Sequence, residues 1–193
     1  KIANFRNQLE LIKKENIKFI NPYKFNQSLV EQTNLRKVMI TIDDAFSSFY
    51  ENAWPIIKDQ KIPIILFVST REVGKNGYMT WEQIREISKE NFVHIGNHSH
   101  THEYLIDYNL NQIKEDLLKS ISIFKNEIGY NSNFFSYPFG EYSLEFKNLV
   151  KELGFTYAFG QHSGVIDLTK DKFELPRFPI NEKYGEIKRF KTL

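Results

Sequence analysis

The sequence predicts an α/β fold, wound as an incomplete (β/α) barrel of about six or seven parallel strands. Three observations carry that prediction. Short apolar, β-branched runs alternate with segments of helical period along the chain. Strands that alternate with helices pair in parallel through right-handed crossovers. The residues best equipped for chemistry all fall just beyond predicted strand ends, and such ends converge on one face of a parallel fold. An open, doubly wound sheet is the alternative.

Residues 4–15 have helical spacing, with Phe5, Leu9, Leu11 and Ile12 apolar among charges. Lys18-Phe19-Ile20 reads as a short strand, and residues 22–31 as a short helix. Val38-Met39-Ile40-Thr41-Ile42 is a β-branched run of the kind a buried strand needs. Residues 47–60 form a helix in which Pro55 marks a first turn or a kink. Residues 62–68 are a continuous apolar strand. Thr80 with Gln83 makes a capping box, so residues 80–90 are a helix, and residues 92–95 a strand. Ile113, Leu117, Ile121 and Phe124 give residues 111–127 a helical period that stops near Gly129. Residues 134–137 are a strand ending at Pro138, and residues 144–153 a helix closed by Gly154. Short strands follow at 155–159 and 175–178. No repeat, low-complexity tract or linker interrupts the order, so residues 1–193 are read as one domain.

Composition narrows the function. With 41% hydrophobic residues the chain is globular, not disordered. The 26 basic and 24 acidic residues nearly cancel, and no basic cluster forms, which argues against a nucleic-acid partner. The absence of cysteine excludes disulfides, thiolate metal sites and cysteine nucleophiles. No apolar run is long enough to span a membrane.

Four of the five histidines, His94, His98, His100 and His102, fall within nine residues. Imidazole and carboxylate are the usual ligands of a catalytic zinc-type ion. His98 and His102, four apart, share a face in a helix or a strand, and His100 joins them only in a strand. Surface histidines ahead of a helix are the plainer alternative. His94 lies inside a predicted strand and reads as a supporting residue. Some fifty residues upstream, Asp43-Asp44 ends an apolar run. One such carboxylate can bind a metal while its neighbour takes a proton; equally, an acid there can cap the following helix. The third segment, Ser136-Tyr137-Pro138-Phe139-Gly140, is a strand followed by a Pro/Gly turn, which can aim a backbone N–H at a developing oxyanion.

Together the three segments resemble the polysaccharide deacetylase family, the NodB-homology group of carbohydrate esterase family 4. Thr41-Ile42-Asp43-Asp44-Ala45 resembles its T-F-D-D-G/A motif, His98-Ser99-His100-Thr101-His102 its H-[ST]-x-x-H motif, and Ser136 to Gly140 its R-x-P-x-G motif. Order and spacing agree from about residue 36 to about residue 180. The resemblance implies a distorted, TIM-like barrel of the NodB type. It implies that Asp43 is the general base and that Asp44, His98 and His102 hold the metal. Zinc is the expected ion, and cobalt or nickel would also suit the ligands. Phe139 takes the position whose backbone N–H helps hold the oxyanion, and Tyr137, Pro138 and Tyr142 are expected to contact substrate. The implied partner is an N-acetylated glycan polymer, and the implied reaction is its N-deacetylation with release of acetate.

Two departures sharpen these expectations. Ser136 stands where the family has an arginine that braces the catalytic aspartate. Arg177, in Leu175-Pro176-Arg177-Phe178-Pro179, is the candidate substitute, because that stretch is similar to a Leu-Pro-Arg segment of the poly-N-acetylglucosamine deacetylase branch. A structural surface arginine is the alternative. The late histidine that supplies the general acid is also missing. In that branch the acid lies on a strand preceding a segment like residues 5–14, so the acid and a targeting segment are expected upstream of Lys1, with His162 the weaker candidate. That places the protein in the periplasm, at the cell surface or outside the cell. Two alternatives remain: a small-molecule amide hydrolase, and a non-catalytic glycan-binding module that keeps the metal site. Of the aromatics Phe46, Tyr50, Trp54, Trp81, Tyr104 and Tyr142, one or two are expected at the mouth.

Overall fold

The computed structural model describes residues 2–31, 33–167, 169–181 and 185–192. Helix α1 (Ile2–Lys14) buries Leu9 and Ile12 and leads to strand β1 (Lys18–Phe19). A 3-10 turn (Pro22–Lys24) and helix α2 (Phe25–Val30) carry the chain to β2 (Lys37–Val38), which pairs in parallel with β1. The run expected to be one buried strand is broken at Met39 and resumes as β3 (Ile40–Ile42). It is only half-buried, because β3 edges a five-stranded sheet.

That sheet continues through β4 (Ile64–Val68), β5 (Val93–Asn97), β6 (Phe134–Ser136) and β7 (Tyr157–Phe159). All neighbours are parallel and follow chain order, β3-β4-β5-β6-β7. A doubly wound sheet reverses its order at a switch point, so this uninterrupted order is that of a barrel. The sheet is an open half-barrel with fewer strands than expected. The predicted strand at 175–178 contributes only an isolated bridge, Phe159 to Leu175. The backbone N–H of Arg177 instead donates to His162 O.

The crossovers are α3 (Trp54–Gln60), α4 (Trp81–Ile87), α5 (Leu110–Ile128) and α6 (Leu144–Glu152), and α7 (Ile187–Phe190) follows near the end. Before α3 the chain makes a wide π-type turn, Phe49–Ala53, in which Trp54 N–H bonds Phe49 O. Pro55 explains it: its ring crowds the carbonyl four residues back and it has no N–H, so the helix opens by one residue. Capping boxes start α4 (Thr80, Gln83) and α5 (Asn109, Gln112), and Gly129 at φ 81° ends α5. Among the described residues no helix is long and apolar enough to cross a membrane.

Strand alternation sorts the core into two layers. Ile64, Leu66, Val68, Val93 and Ile95 pack outward with Ile57, Ile84 and Ile87 of the crossover helices. Ile65, Phe67, Phe134, Tyr157 and Phe159 face inward and pack on Phe25 of α2, which plugs the base. Gly96 makes room there: a Cβ on it would lie 2.3 Å from Cδ1 of Phe67.

Candidate active site

The inward-facing residues change character toward the C-terminal strand ends. Asp43 follows β3, His98 follows β5, Ser136 ends β6, and Arg177 lies just past the Leu175 bridge. The Arg177 guanidinium donates to both Asp43 oxygens, from Nη1 to Oδ1 at 2.8 Å and from Nη2 to Oδ2 at 2.9 Å. It also donates to Ser136 Oγ at 3.0 Å, Thr41 Oγ1 at 3.2 Å and Gly160 O at 2.8 Å. Its side chain is 12% exposed and lies over the rings of Phe67 and Phe159. A surface arginine is thereby excluded. A bidentate, charge-assisted pair fixes the carboxylate in orientation as well as charge. Burial by itself raises the Asp43 carboxyl, but the charges of Arg177 and His98 and the bonds from Arg177 and Ser136 outweigh it. The net result holds Asp43 below the usual carboxylate range.

Asp44 turns the other way, at φ 73°. Its Oδ1 lies 3.1 Å from His102 Nε2 and 3.5 Å from His98 Nε2. One donor atom from each of the three residues lies within 4.8 Å of the others, a set that can hold a metal ion. The imidazole of His98 is prepared for it. Its Nδ1–H donates to Ser136 O at 2.7 Å, which leaves the Nε2 lone pair facing Asp44. Burial lowers the His98 pKa despite the nearby acids, in the direction of the neutral ring that a ligand must be. For His102 burial acts downward too, but the bond to and the charge of Asp44 prevail and raise it.

The loop after β5 is neither helix nor strand, so the shared face expected of His98 and His102 arises differently. Ser99 (φ 69°) and His102 (φ 52°) both adopt left-handed backbone. Three residues brace them. The Oδ1 of Asn97 accepts from Ser99 N–H and from Ser120 Oγ of α5. Asp116 of α5 accepts from the N–H groups of His100 and Thr101. Sequence reasoning missed Asn97, Asp116 and Ser120. Ser120 offered a signal: a polar residue in the buried stripe Ile113, Leu117, Phe124. The side chain of His100 points away to Thr70 Oγ1, at 2.8 Å. His94 lies inside the barrel near its base, where Nε2 bonds Ser132 Oγ.

Phe139 sits at φ 58° in the 3-10 turn Pro138–Gly140, and its ring packs on His102 at 5.0 Å. Tyr104 meets Phe139 at 5.7 Å and donates to Glu141 Oε2 at 2.6 Å, extending the rim. Phe46, 42% exposed, pairs with Tyr78 on the loop that bridges to it. Of the six aromatics considered, Phe46, Tyr104 and Tyr142 are those beside the motif residues. Tyr50 bonds Glu86, Trp54 is buried, and Trp81 packs on Phe124.

One expected contact residue must be corrected. Tyr137 is fully buried, packs on Phe135 and Phe146, and donates to Phe173 O. Alternation along β6 explains this: Phe134 and Ser136 face in, so Tyr137 faces the helix layer. Tyr142 stacks on Tyr137 at 4.5 Å and remains partly exposed. Pro138 is buried at the head of the 3-10 turn and shapes it. His162 is exposed beside Gly160 and meets Arg177 through its backbone carbonyl.

A family model described as Polysaccharide deacetylase matches residues 31–158. The poly-beta-1,6-N-acetyl-D-glucosamine N-deacetylase of Staphylococcus aureus (strain MRSA252) is 24% identical over 204 residues, covering 97% of this chain and 70% of that protein. The Streptococcus pyogenes deacetylase PplD superposes with a TM-score of 0.89 at 20% identity, over 99% of this chain and 85% of that one. IcaB from Ammonifex degensii does so at 0.87 and 22%, over 96% and 86%. At such identities the superpositions speak for the fold. The family match, which spans both acids of Asp43-Asp44, the histidine loop and Ser136 to Gly140, speaks for more: this chain belongs to the polysaccharide deacetylase family.

Proposed function

We propose that this protein removes N-acetyl groups from an N-acetylglucosamine-containing polysaccharide and releases acetate. The observation that carries the proposal is the division of labour between adjacent acids. Asp43 is pinned and kept ionised by Arg177, while Asp44 faces two imidazoles whose donor atoms converge on it. The similarity to an enzyme named for poly-beta-1,6-N-acetyl-D-glucosamine supports the choice of polymer.

When bound, a divalent ion held by Asp44, His98 and His102 supplies Lewis acidity to the acetamide carbonyl and the attacking water. Zinc suits one carboxylate and two neutral imidazoles, and cobalt or nickel fit the same set. Asp43 accepts a proton from the water as its oxygen attacks the carbonyl carbon. Arg177 holds Asp43 in place so that this proton transfer needs no reorientation. The backbone N–H of Phe139 donates to the oxyanion that forms. The C–N bond then breaks, the amine leaves with a proton, and acetate remains. Phe46 and Tyr104 offer ring faces to the sugar on either side of the acetamide.

Acetate release from N-acetylglucosamine oligomers by the metal-loaded protein tests the reading. Asp43→Asn should retain metal and lose about 10²–10⁴ in kcat. Asp44→Ala and His98→Ala should lose metal stoichiometry and activity together. Normal turnover by Asp43→Asn would remove the assigned base, and stoichiometric metal in Asp44→Ala would remove the assigned ligand set.

A further inference from the structure

The two ends of the barrel differ in chemistry. The mouth carries charge, whereas the base carries a cavity of about 380 Å³ whose walls include Tyr23, Asn26, His94, Asn133, Thr156 and Tyr157. That volume lies at the small end of ordinary small-molecule sites. His94 and His98 are four residues apart on one extended run, so the cavity lies about 13 Å below the metal ligands. The packed rings of Phe67 and Phe159 fill the space between.

His94 is the unusual wall. It is 6% exposed, and its Nδ1 is buried with no hydrogen-bond partner. Ser132 Oγ donates to Phe134 O, so the 3.1 Å contact between Ser132 Oγ and His94 Nε2 is donated by the histidine. Nδ1 is then a bare acceptor, and burial keeps the ring neutral by pushing its pKa down to about 4. An unsatisfied buried acceptor is destabilising, and a ligand hydroxyl would relieve that cost.

The other walls narrow the ligand. Tyr23, 60% exposed, stands edge-on to the imidazole at 5.3 Å, and Tyr157 stacks on Phe134 at 5.4 Å. Tyr157 donates to Asn26 Oδ1, which orients the Asn26 amide N–H groups away from that bond. Asn133 and Thr156 add an amide and a hydroxyl on exposed residues. Aromatic faces beside amides and hydroxyls suit a pyranose. The lining contains no carboxylate, and Lys172 extends over the Tyr157 ring, so an ammonium group is disfavoured.

We propose that this basal cavity is a second sugar-binding site, independent of metal, for an N-acetylated pyranose unit of a glycan. Its ligand hydroxyl reaches His94 Nδ1 by shifting the exposed Tyr23 ring. The choice of an acetylated sugar rests on the function proposed above; the site itself rests on the cavity. It discriminates against the deacetylated product, whose ammonium Lys172 repels, and so retains unreacted polymer on the protein.

The test is ¹⁵N resonance of the histidine rings in metal-stripped full chain, titrated with the N-acetylglucosamine trimer and with the glucosamine trimer. The acetylated trimer should shift His94 Nδ1 upfield, and the glucosamine trimer should bind several-fold more weakly. Tyr23→Ala should weaken binding about tenfold, and Asn133→Ala, at an exposed position, should do so by a similar factor. An unmoved His94 resonance at millimolar trimer overturns the proposal. So does a shift that both variants leave unchanged. Acetate release by the metal-loaded protein is measured separately: losing it while the His94 shift persists removes the catalytic reading and not the site.

Discussion

Arg177 and Asp43 stand 134 positions apart in sequence, yet they form the most directed charge pair in the site. Its effect on Asp43 is a balance: burial raises the carboxyl, and the guanidinium, together with His98 and Ser136, more than reverses that. Removing the cation leaves His98 and the Ser136 hydroxyl alone to oppose the upward push. Arg177→Met should therefore move the acid limb of kcat/KM upward. Arg177→Lys, which keeps charge but loses the fork, should move it less. A pH profile for Arg177→Met that overlays the wild type would show that Asp43 does not depend on this partner. Backbone strain gathers around the same residues. Of the seven non-glycine residues with positive φ among the described residues, Asp44, Ala45, Ser99, His102 and Phe139 all belong to the three motif segments. Left-handed backbone costs an ordinary residue about 1–2 kcal/mol, so the surrounding bonds must enforce it. Asn97, Asp116 and Ser120 do this for the histidine loop. Asn97→Ala should thus weaken metal affinity by about 10–100-fold without touching a ligand, as titration with zinc would read; unchanged affinity would make Asn97 merely structural.

At the scale of elements, local chemistry was legible wherever it was self-contained. The Thr80 capping box, the stop at Gly129 and the turn at Pro55 depend on residues within one helical turn, and each is found where the sequence placed it. What was not legible depended on pairing across the chain. Residues 175–178 have strand-like composition, but only Leu175 finds a neighbour, because Arg177 turns in to meet Asp43. Tyr137 was misjudged because motif position says nothing of which side of β6 a residue faces; Ser136, which points at Arg177, settles that parity. The close approach of β4 and β5 offers a test of how tightly parity is enforced. Gly96→Ala would place a methyl 2.3 Å from the Phe67 ring, which Ile65 and Phe159 keep from retreating. It should cost about 1–3 kcal/mol in urea denaturation, and Phe67→Leu in the same chain should return part of that. If the double variant is no more stable than Gly96→Ala, the clash with Phe67 is not the cause.

For the molecule as a whole, alternation of strands and helices was enough to predict the barrel, and the spacing of three motifs was enough to locate its mouth. The base of the barrel stayed invisible, because α2 reaches it only through the crossing from β1 to β2, and no motif marks that contact. His94 shows what this hides. Counted with its neighbours it resembles part of the metal cluster; in the fold it is a buried, neutral histidine at the opposite end. Its pKa of about 4 in the folded chain lies below the 6.5 of an exposed histidine. Between these two values the unfolded chain binds a proton that the folded chain refuses, so stability falls as pH drops from 6.5 toward 4 and this contribution levels off below. The gap amounts to about 3 kcal/mol. His94→Leu removes it. Unfolding free energies of wild type and His94→Leu, measured side by side across that window, should converge or cross in the variant's favour as pH falls, while their difference above pH 7 stays constant. Parallel curves throughout would mean that His94 is protonated within the fold, and that the base of the barrel is wetter than its packing indicates.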